Sequence, residues 1–103
     1  MHITLSPIRS DAELTLHRAG DVLTIGGVAH DFGGLPDGAL LPRAAVDCPW
    51  LASDIVRQGG RLHLTLLLPH AAEAPPETLF PAPLADPADG PVPLPPHGLA
   101  PPP

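Results

Sequence analysis

Apolar and polar residues alternate in short runs through residues 1–70, and the alternation stops beyond them. Glu13-Leu14-Thr15-Leu16-His17-Arg18 alternates, as does Asp21-Val22-Leu23-Thr24-Ile25, and Val28-Ala29-His30-Asp31-Phe32 follows. A period of two marks a strand with one face buried. Ala19-Gly20 and Gly26-Gly27 separate the three runs, and two-residue loops containing glycine favour the primed turns that suit strand twist. With loops that short, Leu16 faces Leu23, Leu14 faces Ile25, Ile25 faces Val28 and Leu23 faces His30. One face then gathers Leu14, Leu16, Leu23, Ile25, Val28 and His30, with Phe32 at its edge. The other gathers Glu13, Thr15, His17, Thr24 and Asp31. A slip of one residue would mix the two sets, so the pattern predicts a three-stranded meander.

A second hairpin is expected where residues 51–57 and 62–68 flank Gly59-Gly60. Its register sets Ile55 opposite Leu64, Leu51 opposite Leu68 and Asp54 opposite Thr65. Leu62, Leu64, Leu66 and Leu68 share a face, and Leu67 on the reverse implies cover on both sides near the end of that strand. A short helix over residues 52–58 is the alternative; the β-branched Ile55 and Val56 favour strand. Ile3 and Leu5 share a side, which predicts a further strand over residues 2–6 that stops near Pro7. Gly33-Gly34-Leu35-Pro36-Asp37-Gly38 is a turn cluster, and Pro42 and Pro49 bracket an edge strand or a single helical turn. Together these elements predict an all-β fold, a small antiparallel sandwich or open barrel of meander and hairpin.

Residues 71–103 are different. They hold 12 of the 17 prolines and no Arg. Proline excludes regular helix and central strand there and favours extended polyproline conformations. A plain linker has no use for Leu79, Phe80, Leu84, Val92 and Leu94. The chain is therefore expected to divide into a β-rich domain, 1–70, and a proline-rich arm, 71–103, whose five apolar side chains are the candidate partner contacts.

Charge and composition narrow the function. The net charge is −6, Lys is absent, and Arg9, Arg18, Arg43, Arg57 and Arg61 are scattered among 11 acids. Phosphate recognition needs a basic patch, so nucleic acid and anionic membrane are not expected partners. The single cysteine, Cys48, can form no disulfide within the chain and reads as a small core residue. No apolar run approaches the roughly 18 residues of a membrane span, and residues 1–5 do not resemble a signal peptide. A soluble protein of the cytoplasm is the expectation.

No catalytic or metal motif stands out. His2, His17, His30, His63, His70 and His97 form no H-x-H or H-x-x-x-H pair. His70 with Glu73 and Glu77 is the nearest approach to a ligand set, and prolines break its spacing. His30 on the apolar face reads as a satisfied core histidine, and His17 and His63 as solvated ones. Ser6, Ser10 and Ser53 lack a nucleophile-elbow context, and Asp86 and Asp89 sit where nothing raises a carboxyl pKa. Pro93-Leu94-Pro95-Pro96 matches P-x-x-P without the flanking cation that SH3 grooves favour. No enzymatic activity and no cofactor are expected.

Several blocks resemble a group of small proteins encoded in tail modules of tailed bacteriophages and prophages. They are Ile3-Thr4-Leu5-Ser6-Pro7, Gly20-Asp21-Val22-Leu23-Thr24-Ile25, Asp31-Phe32, Leu35-Pro36-Asp37-Gly38, Trp50-Leu51, the run from Leu62 to His70, and Asp89-Gly90-Pro91-Val92. Where that group tends to place a polar residue in the first Gly-Gly turn, this chain has Gly26-Gly27. The resemblance brings no catalytic residues. It implies a non-enzymatic, tail-associated protein that contacts other tail proteins or copies of itself, first in the bacterial host cytoplasm during assembly and then in the virion tail. A tail-assembly helper absent from the finished particle is the alternative of the same setting, and a small metal-binding or enzymatic domain that of another class.

Overall fold

The computed structural model describes residues 1–98; the end of the expected arm, residues 99–103, lies outside the described residues. Nine strands form among the described residues: β1 (His2–Arg9), β2 (Leu16–Ala19), β3 (Val22–Ile25), β4 (Val28–Asp31), β5 (Leu40–Leu41), β6 (Ile55–Gln58), β7 (Arg61–His70), β8 (Leu84–Ala85) and β9 (Gly90–Pro91). A turn of 3-10 helix at Arg43–Ala45 and one of α-helix, α1 (Pro76–Leu79), complete the inventory. The strands make two sheets, ordered β5-β6-β7-β1-β8 and β4-β3-β2-β9, so the all-β expectation holds. The buried apolar side chains form one cluster that draws on both sheets: Ile3, Leu5, Leu51, Ile55, Leu62, Leu64, Leu66 and Leu68 from the first, Leu14, Leu16, Leu23, Ile25, Phe32 and Val92 from the second and its flanks.

The meander forms with one change of register. Gly26 and Gly27 both take positive φ, 58° and 84°, as a type I′ turn requires, and Ile25 pairs with Val28 and Leu23 with His30 as expected. The β2–β3 turn is Gly20-Asp21 rather than Ala19-Gly20, so Leu16 pairs with Ile25 and Arg18 with Leu23. Gly20 has φ +61°, and shifting the loop puts glycine rather than alanine at the turn position that needs it. The shift is two residues, so the buried face keeps its members. Val28 departs from the expected face. It is 56 % exposed, because β4 is the outermost strand of its sheet and nothing covers that end of it.

The second hairpin has its Gly59-Gly60 turn and pairs Val56 with His63, the predicted register, and no helix forms over residues 52–58. Further from the turn the ladder breaks. Leu51 bridges Leu66 rather than Leu68, and Ser53 Oγ accepts the Thr65 N–H at 2.8 Å in place of a backbone carbonyl. Asp54, expected beside Thr65, instead accepts the Arg43 N–H at 2.7 Å.

The antiparallel expectation fails at the centre of the larger sheet. β1 and β7 pair in parallel through eight residue pairs, from His2↔His63 to Arg9↔His70. Parallel neighbours need a crossover, and here the crossover contains strands β2 to β6. β1 also runs through Pro7 to Arg9 instead of stopping. Ser10 N–H donates to His70 O, and Asp86 N–H donates to Met1 O, so even-numbered residues of this segment face β7 and odd ones face β8. Pro7 thus faces the β8 side, where β8 pairs only with His2 and Ile3. Pro69 in β7 faces the β6 side by the same parity, beyond the last bond of that side, Leu67 N–H to Trp50 O. Each proline withholds an N–H that had no partner to meet.

Residues 71–98 lie across this framework. β8 pairs with β1 and β9 with β2, both antiparallel, and Val92 N–H donates to Leu16 O. The helical turn α1 departs from the expectation that proline bars helix. Pro75 precedes it and Pro76 occupies the first turn, where a missing N–H costs nothing.

Candidate functional site

Several of the polar groups that could do chemistry are occupied in holding loops. Asp31 Oδ1 accepts the Gly33 N–H at 2.9 Å and Asp37 Oδ1 the Gly60 N–H at 2.8 Å. Ser10 Oγ accepts the Ala12 N–H, and Ser53 Oγ donates to Asp54 O while accepting from Thr65. His70 Nδ1 donates to Ala71 O at 2.8 Å and His97 Nε2 to Ser10 O at 2.6 Å. His2 and His63 lie with ring centroids 5.6 Å apart, and His17 is exposed. Cys48 is half-buried against the core. Among the described residues no group of three or more His, Cys, Asp or Glu could hold a metal ion, and no helix is long and apolar enough to cross a membrane.

Two arginines unmarked by any motif tie the sheets together around the β2–β3 turn. Arg57 pairs with Leu62 across the β6–β7 hairpin, so its side chain points to the face between the sheets. There its Nε donates to Leu35 O at 2.6 Å, and its Nη2 to Phe32 O and to Asp21 Oδ2, both at 3.0 Å. Arg18 pairs with Leu23 and points inward in the same way. Its Nε donates to Gly20 O at 2.9 Å and its Nη1 to Asp86 Oδ1 at 3.0 Å and to Pro87 O. The Met1 ammonium shares the same Asp86 oxygen at 3.0 Å. The hydrogen bond from that ammonium, then that from Arg18, holds the Asp86 carboxyl below the ordinary carboxylate range. The sequence carried one sign of both arginines: each falls in the apolar register of its strand.

The five candidate contact residues divide. Val92 is buried, and Leu84 and Leu94 pack against the core. Leu79 and Phe80 face outward, 39 % and 84 % exposed. Their posture follows from Thr78 between them and the core. Thr78 is fully buried and its Oγ1 donates to Pro96 O at 2.6 Å, while Phe80 N–H closes the turn on Pro76 O at 2.8 Å. With Thr78 pinned beneath, the next two side chains turn to solvent.

Two concave regions stand out. One, about 410 Å³, lies between Leu14–Leu16, Leu68 and Pro69 at the end of β7, and Pro91–His97. The other, about 400 Å³, runs along β4 and is walled by Val28, His30, Phe32, Leu41 and Val46, with Asp31 and Asp47 also lining it. The His30 ring stacks on Phe32 at 6.2 Å, and its Nε2 is enclosed without a hydrogen-bond partner, unlike the satisfied core histidine that its position predicts. Comparison of the chain with protein-family models, with curated proteins and with solved structures gave no match.

Proposed function

We propose that the protein is a non-enzymatic component of a bacteriophage or prophage tail that works through contacts with other tail proteins or with copies of itself. In this reading the two sheets are a small open sandwich, residues 71–103 are its arm, and the protein passes from the host cytoplasm to the virion tail. The observation that carries the contact role is Phe80, 84 % exposed on a turn fixed from below by Thr78. An aromatic ring displayed on a rigid support is the usual anchor of a protein interface. The phage setting is supported by the sequence blocks alone.

The test is Phe80→Ala, introduced into the phage or prophage that encodes the chain. The thermal midpoint should hardly move, because an exposed side chain contributes within about 0.5 kcal/mol. Incorporation into purified tails, read by quantitative mass spectrometry, should fall severalfold. Wild-type incorporation of the variant, or complete and infectious particles in the absence of the protein, would sink the reading. A protein required for assembly yet missing from finished particles identifies the helper instead.

A further inference from the structure

Sheet edges invite added strands, and most proteins guard them with short strands, proline or charge. The two sheets have four outer strands among the described residues: β5, β8, β4 and β9. Three are guarded in the same way. β5, β8 and β9 are two residues long, and proline lies in or near each: Pro42 after β5, Pro83 and Pro87 about β8, and Pro91 within β9 with Pro93 beyond it. β4 is four residues long and contains no proline. Phe32 N–H donates to Asp21 O, so even-numbered residues of this strand bond to β3, and Ala29 and Asp31 turn their backbone N–H and C=O groups to the open side.

The space beside that edge is shaped for side chains. Val28 and His30 share the face of Ile25 and Leu23, and the opposing sheet does not reach over Val28. The groove of about 400 Å³ between β4 and residues 41–47 therefore shows Val28, Phe32, Leu41 and Val46 at its walls. Asp31 and Asp47 also line it, and neither is in an ion pair among the described residues; Asp31, whose Oδ1 accepts the Gly33 N–H, lies on the reverse face of β4 from Val28 and His30. Arg57, which faces inward, is taken up by Asp21 and backbone carbonyls.

We infer that the open edge of β4 and its groove dock an extended segment of another protein, with apolar side chains alternating with Lys or Arg. The segment adds as a strand, using the outward groups of Ala29 and Asp31. One set of its side chains enters the groove against Val28 and Val46, and its cations meet Asp31 and Asp47. Charge complementarity selects this occupant over a second copy: two chains of net charge −6 would bring like carboxylates together at the same edge. The surface is distinct from Phe80, and its occupancy does not depend on the phage setting.

The probe is a labelled peptide, acetyl-Lys-Val-Lys-Val-Lys-Val-amide, followed by fluorescence anisotropy and by amide shifts of the full chain. It should bind with a Kd of about 1 mM or tighter, with shifts centred on residues 28–32 and 41–47. N-methylation of alternate peptide residues, which removes strand pairing and keeps the charge, should weaken binding about tenfold or more. Val28→Lys, at an exposed position, and the pair Asp31→Asn with Asp47→Asn should each weaken it comparably; in Asp31→Asn the side-chain amide oxygen can still accept the Gly33 N–H. The Glu-Val counterpart should not bind. No binding of the basic peptide, binding indifferent to N-methylation, or shifts away from β4 would overturn the proposal. So would a dimer seen by sedimentation that Val28→Lys dissociates, since a second copy would then be the occupant.

Discussion

Two edges of the paired sheets are built alike and finished differently. Both arginines hold the β2–β3 turn, Arg18 at Gly20 and Arg57 at Asp21, and from there they serve different edges: Arg57 of β6 reaches across to Phe32 after β4, and Arg18 of β2 reaches across to residues 86 and 87 after β8. Arg57 is 13 % exposed and satisfied mainly by backbone carbonyls that cannot titrate. Arg18 likewise has two carbonyl acceptors, Gly20 O and Pro87 O, but its carboxylate, Asp86, is 60 % exposed, and Asp86 and Pro87 belong to a segment that must first be laid across the sheets. The first edge is held by the body of the fold yet leaves β4 uncovered. The second is closed by the proline-rich segment, which pairs with β1 and β2 in passing. Closure and openness thus depend on where the chain happens to cross between the sheets.

Removing the crossing segment tests that difference most severely. A chain ending at His70 loses β8, β9, the buried Val92 and Thr78, and two of the three acceptors of Arg18. It leaves one edge of the core in water in a unit with little core to lose. We expect no cooperative thermal transition in such a chain, read by near-ultraviolet circular dichroism and calorimetry; a sharp melt close to that of the full chain would show that the segment is an accessory. The same expectation makes deletion of residues 71–103 a poor test of a contact role, because lost incorporation would follow from lost folding.

Next in size come the two arginines. Arg57→Ala strands three acceptors in the region between the sheets and should cost about 3 kcal/mol. Arg18→Ala should cost less, about 1 kcal/mol, since two of its three acceptors, Asp86 and Gly20, belong to exposed residues that stay solvated. Arg57→Lys should recover little, because an ammonium cannot span carbonyls and a carboxylate as the planar fork does. Chemical denaturation of the three variants settles the order. Equal costs for the two alanine variants would erase the distinction between the edges.

Local features were legible in the sequence and distant ones were not. The Gly26-Gly27 and Gly59-Gly60 turns fix their hairpins because glycine at positive φ and period-two apolar runs act within a few residues. The parallel pairing of β1 with β7 has no such marker, since it joins segments separated by most of the domain. Leu84, Val92 and Leu94 announced that residues 71–103 bind something, but apolar character does not say whether the surface belongs to the same chain. Only Leu79 and Phe80 remain outward. Arg18 and Arg57 drew no individual role from the sequence, because sequence shows no acceptors when these are backbone carbonyls. Their position in phase with Leu16 and Ile55 was the available signal. Exposure of Val28 depends on how far the opposite sheet extends, which no run of residues records.

The smallest expected effect concerns Asp86. Its backbone has φ +48°, a conformation that Asn adopts more readily than most residues, so Asp86→Asn removes charge with little change of backbone strain. The folded carboxyl titrates below its unfolded value, because the Met1 ammonium and Arg18 favour the ionised form. Its contribution is therefore present above about pH 4, the unfolded range, and fades as pH falls through the lower folded value. The wild type should exceed Asp86→Asn in stability at neutral pH, and the gap should close on acidification and narrow with added salt. Arg57→Ala should keep most of its deficit over the same pH range, since two of the three short contacts that it removes go to carbonyls. Paired urea titrations across pH measure both gaps. If the Asp86 gap persists unchanged into acid, the closed edge is not held by that charge, and the pairing of β8 and β9 alone must account for it.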